Sequence, residues 1–225
     1  MLKIGAVNSK EDLLMNVIIF GANGKIGQWA LKYALRNGHS VTAYVRNASK
    51  MTEKNERLTV IEGNINDAEQ MKKALTGQDA VVWCVGIPLK KNYENMASLE
   101  GHKVLIKAMK ANKVKRLIDW GTPSIHFAKD KKSLITVLPG IMAGLIFTQA
   151  KKEMVAIGEM LQKSDLDWTL VRFVAPQNKG SAGRVKVGFG DTKMKFSISR
   201  EDIGAFMIKM LDSDQYIHSM PIIGS

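Results

Sequence analysis

Three glycines spaced three residues apart, at positions 21, 24 and 27, form the segment best suited to bind a phosphate group. They lie between a β-rich run, 16–20, and a run of helical apolar spacing that starts at residue 26. In such a unit the glycines permit a sharp turn, close approach of backbone N–H groups to a pyrophosphate, and tight packing of helix on strand. The helix N-terminus adds unpaired amides and a partial positive charge.

The flanking strand and helix favour a dinucleotide site over a purely structural turn, which is the alternative. A second β-rich run, 40–45, follows the helix at the expected distance. We therefore predict a bound nicotinamide dinucleotide at this turn. The predicted contacts are Gly21, Asn23, Gly24, Lys25, Ile26 and Gly27.

The residue after the second predicted strand bears on which dinucleotide binds. A site that prefers NAD usually places an acid near this point, to bind the ribose hydroxyls. This sequence has Arg46 instead, and a guanidinium can bind a 2′-phosphate with two hydrogen bonds and stack on adenine. The sequence predicts NADPH, with NADH as the less favoured cofactor, and an unrelated surface arginine remains the alternative.

Ligands of an open parallel sheet lie outside the carboxyl ends of its strands. The predicted third strand should therefore border the adenine, the fourth the ribose and the fifth the nicotinamide. A lysine near the start of a later helix is a candidate for phosphate or ribose, with simple solvation as the alternative. These further predicted contacts are Asn64, Ile65, Cys84, Val85, Gly86, Thr122 and Lys151.

Candidate catalytic groups follow the fifth predicted strand. The hydroxyls of Thr122 and Ser124 are placed to hydrogen-bond near a nicotinamide, and turn formation or helix capping is an equally good account of them. His126 has a side chain whose ordinary pKa lies near neutrality, so it is a candidate acid, with a plain surface role as the alternative. No cluster of His, Cys, Asp and Glu has metal-ligand spacing, so we predict no metal.

The chain has 225 residues and a formal net charge of +12, which attracts phosphates of any kind. The densest basic run, 102–116, has interleaved apolar residues and predicts an amphipathic helix with its lysines in water. A nucleic-acid surface is a minority alternative. Cys84 is the single cysteine, so no disulfide can form within the chain and a reducing cytoplasm is the expected setting.

Strand and helix signals alternate along the chain, with predicted strands at 16–20, 40–45, 58–61, 80–85, 116–120 and 168–173. This order predicts an α/β fold, a Rossmann-type doubly wound parallel sheet in a single domain. The last third predicts a small substrate-side portion with short strands at 185–189 and 195–199, a helix at 200–211 and an edge strand at 221–223. We expect 1–14 to be a leader without function and 15–225 to form the domain.

The longest apolar stretch, 134–148, is interrupted by Pro139, Gly140 and Gly144 and falls short of the ~20 residues of a membrane-spanning helix. We predict a loop and a buried helix start that contribute to the wall of a substrate site. The other predicted pocket walls are 87–92 and 173–184, with 124–146 including most of this stretch.

Five segments together resemble a known family: 20–27, 44–46, 63–67, 164–172 and 198–203. The sequence is similar to the atypical short-chain dehydrogenases/reductases, a group that includes NmrA-like regulators, biliverdin reductase B-like flavin reductases and NADH-flavin reductases. The resemblance covers the chain from residue 15 onward. It implies an NAD(P)-binding Rossmann domain without specifying one activity.

The sequence also departs from this family. Catalytic members of the wider superfamily use a Tyr-x-x-x-Lys pair, and the spacing that the resemblance implies puts Lys151 and Val155 in its place. No tyrosine lies between Tyr93 and Tyr216, and Asn64 stands where many relatives have Asp. Ordinary alcohol–ketone dehydrogenation with a tyrosine acid is therefore not expected.

Two functional hypotheses follow. The first is an NADPH-dependent reductase of an aromatic, redox-active small molecule such as a flavin, quinone or tetrapyrrole, which needs mainly orientation and electrostatics from the protein. The second is a non-catalytic NADP(H)-sensing regulator of the NmrA-like kind. A sugar-nucleotide or nucleic-acid role ranks third. We expect a small-molecule acceptor, no membrane partner, no nucleic acid, and a monomer or homodimer.

Overall fold

The computed structural model describes residues 14–88, 90 and 92–225. The predicted leader, except for Leu14, lies outside the described residues, as do positions 89 and 91 of the predicted wall 87–92. The strands of the described part are β1 (Asn16–Phe20), β2 (Ser40–Val45), β3 (Leu58–Glu62), β4 (Ala80–Trp83), β5 (Arg116–Gly121), β6 (Asp167–Arg172), β7 (Ala175–Gln177), β8 (Lys186–Gly188), β9 (Ser197–Ser199) and β10 (Ile222–Gly224). The α-helices are α1 (Gly27–Arg36), α2 (Ala68–Ala74), α3 (Ala97–Ala111), α4 (Leu134–Ile146), α5 (Thr148–Gln162) and α6 (Arg200–Lys209).

The main sheet has the strand order β3-β2-β1-β4-β5-β6-β10-β8. Every neighbouring pair is parallel except β10 with β8, which is antiparallel. The strand order reverses between β1 and β4, because the chain runs outward to β3 and then returns to the other side of β1. The predicted doubly wound α/β sheet is confirmed. Such a reversal leaves a crevice at the carboxyl ends of the two strands.

Each face of the sheet is covered by its own apolar core. Alternate residues of β1 point to opposite faces, so Ile18 joins the cluster under α2, α3 and α5, whereas Ile19 joins the cluster under α1 and α6. All four residues of β4 are buried, as predicted for a central parallel strand. The two cores hold the strand ends in fixed register around the crevice.

The short strands β7 and β9 pair in parallel as a separate small sheet beyond β6. The short strand predicted at 195–199 is β9 and the one predicted at 185–189 is β8, which joins the main sheet. The sequence did not indicate β7. The final strand was expected at the edge, which is wrong. Ile222 of β10 pairs with Arg172 of β6 on one side and Gly188 of β8 on the other, so β8 is the edge strand.

The prediction of a loop and buried helix start at 134–148 is also wrong. The segment forms α4, whose entry is fixed by a hydrogen bond from the Ser133 amide to Oγ1 of Thr136 at 3.0 Å. Pro139 lies inside the helix and is buried. Packing does not require a glycine at position 140, since a Cβ there would meet Cα of Ser124 at 3.8 Å, an ordinary contact distance. The opposite face of α4 is exposed.

The lysines of α3 point to solvent, as predicted for an amphipathic helix. Arg116, at the end of the same basic run, is instead folded onto backbone oxygens and donates to the carbonyl of Asp167 at 2.7 Å. Among the helices that the structure describes, none is both long and apolar enough to span a bilayer.

Candidate functional site

The glycine turn between β1 and α1 is packed against the end of β4. Gly21 has a φ of +75°, and its N–H donates to the carbonyl of Tyr44 at 3.0 Å. A Cβ at Gly21 would lie 2.9 Å from backbone atoms of Cys84, and one at Gly27 would lie 2.2 Å from the carbonyl oxygen of Gly21. Any side chain at these positions would push the turn, β4 and α1 apart. The sharp turn predicted for Gly21 and the close packing predicted for Gly27 are confirmed, whereas the approach of backbone N–H groups to a pyrophosphate stays a prediction.

The N-terminus of α1 has no side chain, among the residues described, that competes for its first amides. Within the described residues no side chain caps this helix, and its first turn contains no acid. Lys25 is exposed in the turn itself. Amides that lack side-chain acceptors, a helix dipole and a nearby lysine together favour a phosphate group at this point.

Asn23 links the glycine turn to the loop that follows β2. Its side-chain amide donates to the carbonyl of Asn47 at 2.8 Å. The neighbouring Arg46 is exposed. The hydrogen bond therefore fixes the loop that carries Arg46 relative to the glycine turn. The sequence predicted Asn23 only as a cofactor contact.

A cavity of about 420 Å³ lies at the carboxyl ends of β1, β4, β5 and β6. Its walls come from the glycine turn, from strand ends and from α4, α5 and α6. The lining residues are Gly24, Lys25, Ile26, Cys84, Gly86, Ile87, Trp120, Thr122, Ser124, Pro139, Met142, Ala143, Phe147, Ala150, Lys151, Met154, Phe173, Val174, Pro176 and Arg200. The predicted walls 87–92, 124–146 and 173–184 each contribute residues.

The cavity brings together about half of the predicted site residues. Those that line it are Gly24, Lys25, Ile26, Cys84, Gly86, Thr122, Ser124 and Lys151. Gly21, Asn23, Gly27 and Arg46 lie in or beside the adjoining turn rather than in the cavity wall. All of their binding roles stay predictions.

Four predicted residues point elsewhere. Oδ1 of Asn64 accepts a hydrogen bond from the amide of Asn66 at 3.0 Å, and Ile65 packs in the core under α3. Val85 packs against the same core, and its carbonyl accepts a hydrogen bond from Nε1 of Trp120 at 3.0 Å. His126 is exposed and outside the cavity wall, so the structure does not bring it to Ser124.

Two hydroxyl groups meet on the cavity wall. Oγ1 of Thr122 and Oγ of Ser124 are 2.5 Å apart. Either oxygen can act as the donor, so the pair can hold a proton and present it to a bound molecule. The cavity also contains Cys84, but burial raises the pKa of its thiol, which is therefore unsuited to act as a nucleophile.

The stacking of aromatic rings in the cavity wall was not predicted from the sequence, although Phe173 lies in the predicted wall 173–184 and Phe147 in the predicted wall stretch 134–148. The rings of Trp120 and Phe173 are stacked with centroids 5.7 Å apart and planes 22° apart. Phe147 lines the same space. Trp120 and Phe173 lie at or just after the ends of β5 and β6, so the strand-end rule that selected Thr122 also applies to them.

Within the residues that the structure describes, the charged groups of the cavity wall are all cations: Lys25, Lys151 and Arg200. Nζ of Lys151 donates to the carbonyl of Gly140 at 2.8 Å and so joins α5 to α4. Arg200 was not predicted, and its guanidinium donates to Oδ1 of Asn178 at 2.7 Å. The positive wall adjoins the glycine turn, where a phosphate group is predicted, and its charge would attract the same kind of ligand.

Tyr93, the tyrosine that precedes α3, forms its hydrogen bond outside the cavity wall. Tyr93 donates its hydroxyl hydrogen to Oε2 of Glu153 at 2.5 Å, and burial raises the pKa of the phenol. Among the described residues no tyrosine lines the cavity. In the same part of the chain, no three His, Cys, Asp or Glu side chains are placed to hold a metal ion.

Comparison with known proteins agrees with this geometry. A family model described as NAD(P)H-binding matches residues 21–214, from the first glycine of the turn to a point just after α6. The chain belongs to this NAD(P)H-binding family. The match includes the strand, turn and helix ends that form the cavity.

Curated relatives of this NAD(P)H-binding chain include reductases. Isoflavone reductase homolog P3 of Arabidopsis thaliana is 25% identical over 220 residues, which are 91% of this chain and 67% of that protein. Protein YwnB of Bacillus subtilis is 34% identical over 121 residues, which are 53% of each chain. The NAD(P)H-binding chain thus spans between about half and two thirds of the length of these relatives.

Solved structures show the same fold. The oxidoreductase ylbE of Lactococcus lactis has a TM-score of 0.76 at 18% identity, covering 94% of this chain and 91% of that one. The anaerobillin reductase ChuY of Escherichia coli O157:H7 has a TM-score of 0.76 at 18% identity, covering 93% and 96%. A short-chain dehydrogenase/reductase of Veillonella parvula in complex with NADP has a TM-score of 0.72 at 17% identity, covering 94% of both chains.

The residues of this NAD(P)H-binding protein fit a dinucleotide. The space that a Cβ would fill at Gly27 is taken up by the backbone of the turn, and the N-terminus of α1 is uncapped. The adjoining cavity has a cationic side and an aromatic side. A phosphate-rich molecule at the turn would therefore extend toward the stacked rings.

Proposed function

We propose that the protein is an NADPH-dependent reductase of a flat, aromatic, redox-active acceptor such as a flavin or a quinone. One observation carries the proposal: a single cavity joins Gly24 of the glycine turn to the stacked rings of Trp120 and Phe173. Small-molecule sites are typically apolar with a few oriented polar groups. Stacked aromatic side chains suit a planar ring better than a flexible aliphatic substrate.

The preference for NADPH rests on Arg46. This side chain is exposed beside the turn, in the loop that Asn23 ties to the phosphate site. A guanidinium in this position suits a 2′-phosphate, whereas NADH offers it only hydroxyl groups. The relative from Veillonella parvula that was solved with NADP is consistent with this preference.

The chain supplies orientation and a proton source. When bound, NADPH supplies a hydride, which carries two electrons and one hydrogen nucleus to the acceptor. Trp120 and Phe173 orient the acceptor ring, and α4 with α5 covers the cavity. The hydroxyl pair of Thr122 and Ser124 can donate the proton that completes the reduction, and water replaces it.

A tyrosine acid is not required for this reaction. The positions that the family resemblance assigns to Tyr-x-x-x-Lys hold Lys151 and Val155, both on α5. An electron-poor ring accepts a hydride without the strong carbonyl polarisation that a ketone needs. The proposal therefore excludes simple ketones as good substrates.

Steady-state oxidation of NADPH, followed by its absorbance, tests the proposal with flavin mononucleotide, a water-soluble quinone and cyclohexanone. We expect turnover with the first two and none with the ketone. Phe147→Ala should lower kcat/KM for the aromatic acceptors about ten-fold and leave the Kd for NADPH unchanged. Phe196 is also half-buried but lies outside the cavity wall, so Phe196→Ala is the matched control. Rapid ketone reduction, or no turnover with any aromatic acceptor, would contradict the proposal.

The occupation of the dyad positions by Lys151 and Val155 also favours a second candidate, a protein that senses NADP(H) and regulates a partner. This candidate predicts tight NADPH binding without turnover. It also predicts that partners captured from a lysate differ between the oxidised and the reduced cofactor. The two functions are separated by the turnover assay, because the sensor leaves NADPH unoxidised.

A further inference from the structure

The outward face of α4 is apolar, which is the reverse of an ordinary surface helix. Of the nine large apolar side chains that are exposed in the described part of the chain, seven belong to this helix. Leu134 is 75% exposed, Leu145 74% and Ile141 55%. The seven residues form what we term the α4 face: Leu134, Val137, Leu138, Ile141, Met142, Leu145 and Ile146.

The spacing of these residues gives one continuous stripe. Their sequence separations alternate between three and one, so they share a single side of the helix. The inward side is held by buried Ile135 and Pro139 and by the hydrogen bond from Lys151 to the carbonyl of Gly140. The helix therefore cannot bury the α4 face by rotating without losing these contacts.

The chain segment that carries the α4 face is positively charged. The segment 131–152 contains four lysines and no acid. The acidic residues at the two ends of this segment do not offset the lysines. Asp130 is paired with Arg172. Glu153 is fully buried, and its carboxylate accepts hydrogen bonds from the Tyr93 hydroxyl and the Leu99 amide.

The exposed lysines at the start of α4 outnumber the acid near them. Lys129, Lys131 and Lys132 are all exposed just before the helix. Asp191 is an exposed carboxylate near Lys131, and hydrogen bonds from backbone amides lower its pKa, with a smaller contribution from this lysine. Two lysines are therefore left to attract anions beside the α4 face.

We infer that the α4 face docks on an anionic phospholipid surface. Its apolar side chains would enter the boundary between headgroups and acyl chains, while the adjacent lysines contact lipid phosphates. Thirteen residues make a helix about 20 Å long, shorter than the ~30 Å hydrocarbon layer, so α4 would lie in the interface plane. This proposal replaces the expectation, drawn from the length of the apolar stretch, that no membrane takes part.

A second copy of the chain suits this face less well. Each copy carries a net charge of +12, and a symmetric contact through α4 would bring the lysines of both copies toward each other. Anionic lipid instead supplies the charge that complements them. The lysine distribution therefore selects the lipid surface as the occupant.

The docking surface adjoins the cavity, and this step rests on the proposed function. Met142 lines the cavity and is also 49% exposed on the α4 face. A hydrophobic acceptor dissolved in the bilayer would thus have a short route to the stacked rings. Among the aromatic acceptors proposed above, this position favours lipid-soluble molecules such as long-chain quinones.

Vesicle flotation of the full chain tests the docking surface, with vesicles of phosphatidylcholine alone and of phosphatidylcholine mixed with phosphatidylglycerol. We expect binding to the mixed vesicles. Leu134→Ser combined with Leu145→Ser should weaken it about ten-fold or more. Val60→Ser removes an exposed apolar side chain on β3 and should have no effect. Lys132→Glu should weaken binding about five-fold or more, and more than Lys209→Glu on α6.

Three results would overturn the inference. They are no binding to mixed vesicles, equal binding by the double serine variant, and a wild-type homodimer that the serine substitutions dissociate. Failure of the proposed function is seen separately, in NADPH oxidation with a water-soluble quinone in the absence of vesicles. If both hold, the double serine variant should lose turnover with a long-chain quinone in vesicles and keep it with the water-soluble quinone.

Discussion

Arg172 and Asp130 form a buried ion pair with two hydrogen bonds. Nη2 of Arg172 donates to Oδ1 of Asp130 at 2.5 Å, and Nη1 donates to Oδ2 at 2.7 Å. The guanidinium also donates to the carbonyls of Ile125 and Met220. The pair thereby fastens the end of β6 to the loop before α4, between the aromatic wall of the cavity and its helical cover.

Asp130→Asn should destabilise the fold strongly. The Arg172 side chain is 0% exposed, and removing its partner charge leaves a buried cation, which typically costs about 3 kcal/mol or more of unfolding free energy. Glu100→Gln is the control, because it breaks an exposed ion pair with Lys103 and should cost no more than about 0.5 kcal/mol. Urea unfolding measures both changes. Equal losses would show that the buried pair does not hold this region.

Arg46→Ala should weaken the binding of NADPH much more than the binding of NADH. Losing a bidentate contact to the 2′-phosphate should raise the Kd for NADPH about ten-fold or more, and the Kd for NADH should stay within about two-fold. Lys50→Ala removes an exposed charge from the same loop region and should alter neither value strongly. Calorimetric titration provides the constants. An unchanged Kd for NADPH would remove Arg46 as the selecting residue.

Ser124→Ala should affect turnover more than binding. The substitution removes one oxygen of the pair that Ser124 forms with Thr122 at 2.5 Å, so proton delivery to the reduced acceptor becomes slower. We expect kcat with a quinone to fall by up to about 100-fold and by a measurable amount, while the Kd for NADPH stays unchanged. Ser164→Ala, at the far end of α5, is the control. A higher KM at constant kcat would instead indicate a role in binding the acceptor.

Stability should fall as the pH drops through the range in which histidine titrates. His39 is 2% exposed, and burial lowers its pKa below the ordinary value of 6.5, with Asp212 partly opposing the shift. The unfolded chain therefore takes up this proton at a higher pH than the folded chain does. The contribution is present above about pH 6.5 and is lost as the pH falls toward the lower pKa of the folded state.

The His39→Gln variant isolates this effect. Comparing unfolding free energies at about pH 7.5 and about pH 5.5, the wild type should lose more stability than the variant does. Other groups that titrate in this range contribute to both proteins and cancel in the comparison. If wild type and variant lose the same amount, His39 is not responsible for the pH dependence.

The sequence predicted the parts of the site that depend on local pattern. The glycine turn is recognisable because three residues of one type must follow a strand and precede a helix. Phe173 was placed in a predicted pocket wall, but Trp120 was not. Their stacking was missed because it depends on the register of β5 and β6, in which Trp120 pairs with Val171. Such a pairing joins residues about fifty positions apart.

The segment that became α4 was misinterpreted for a related reason. Pro139 and two glycines usually interrupt a helix, and the stretch has no charged face to define a helical period. Tertiary contacts override both signals, since Gly140 packs near Ser124 and accepts a hydrogen bond from Lys151. The separation of Ser124 from His126 is likewise a property of the loop conformation, which a spacing of two residues does not reveal.

Calorimetric titration of NADPH into the wild type, Gly24→Ala and Gly180→Ala tests the cofactor site most directly. A Cβ at Gly24 would lie 3.0 Å from the carbonyl oxygen of Gly21, which also accepts the Gly24 N–H, so this backbone contact would have to shift where the turn lines the cavity. Gly180 faces open space. We expect one saturable site in the wild type, a Kd about ten-fold or more higher in Gly24→Ala, and no change in Gly180→Ala. Wild-type affinity in Gly24→Ala, or no saturable binding to the wild type, would contradict the account.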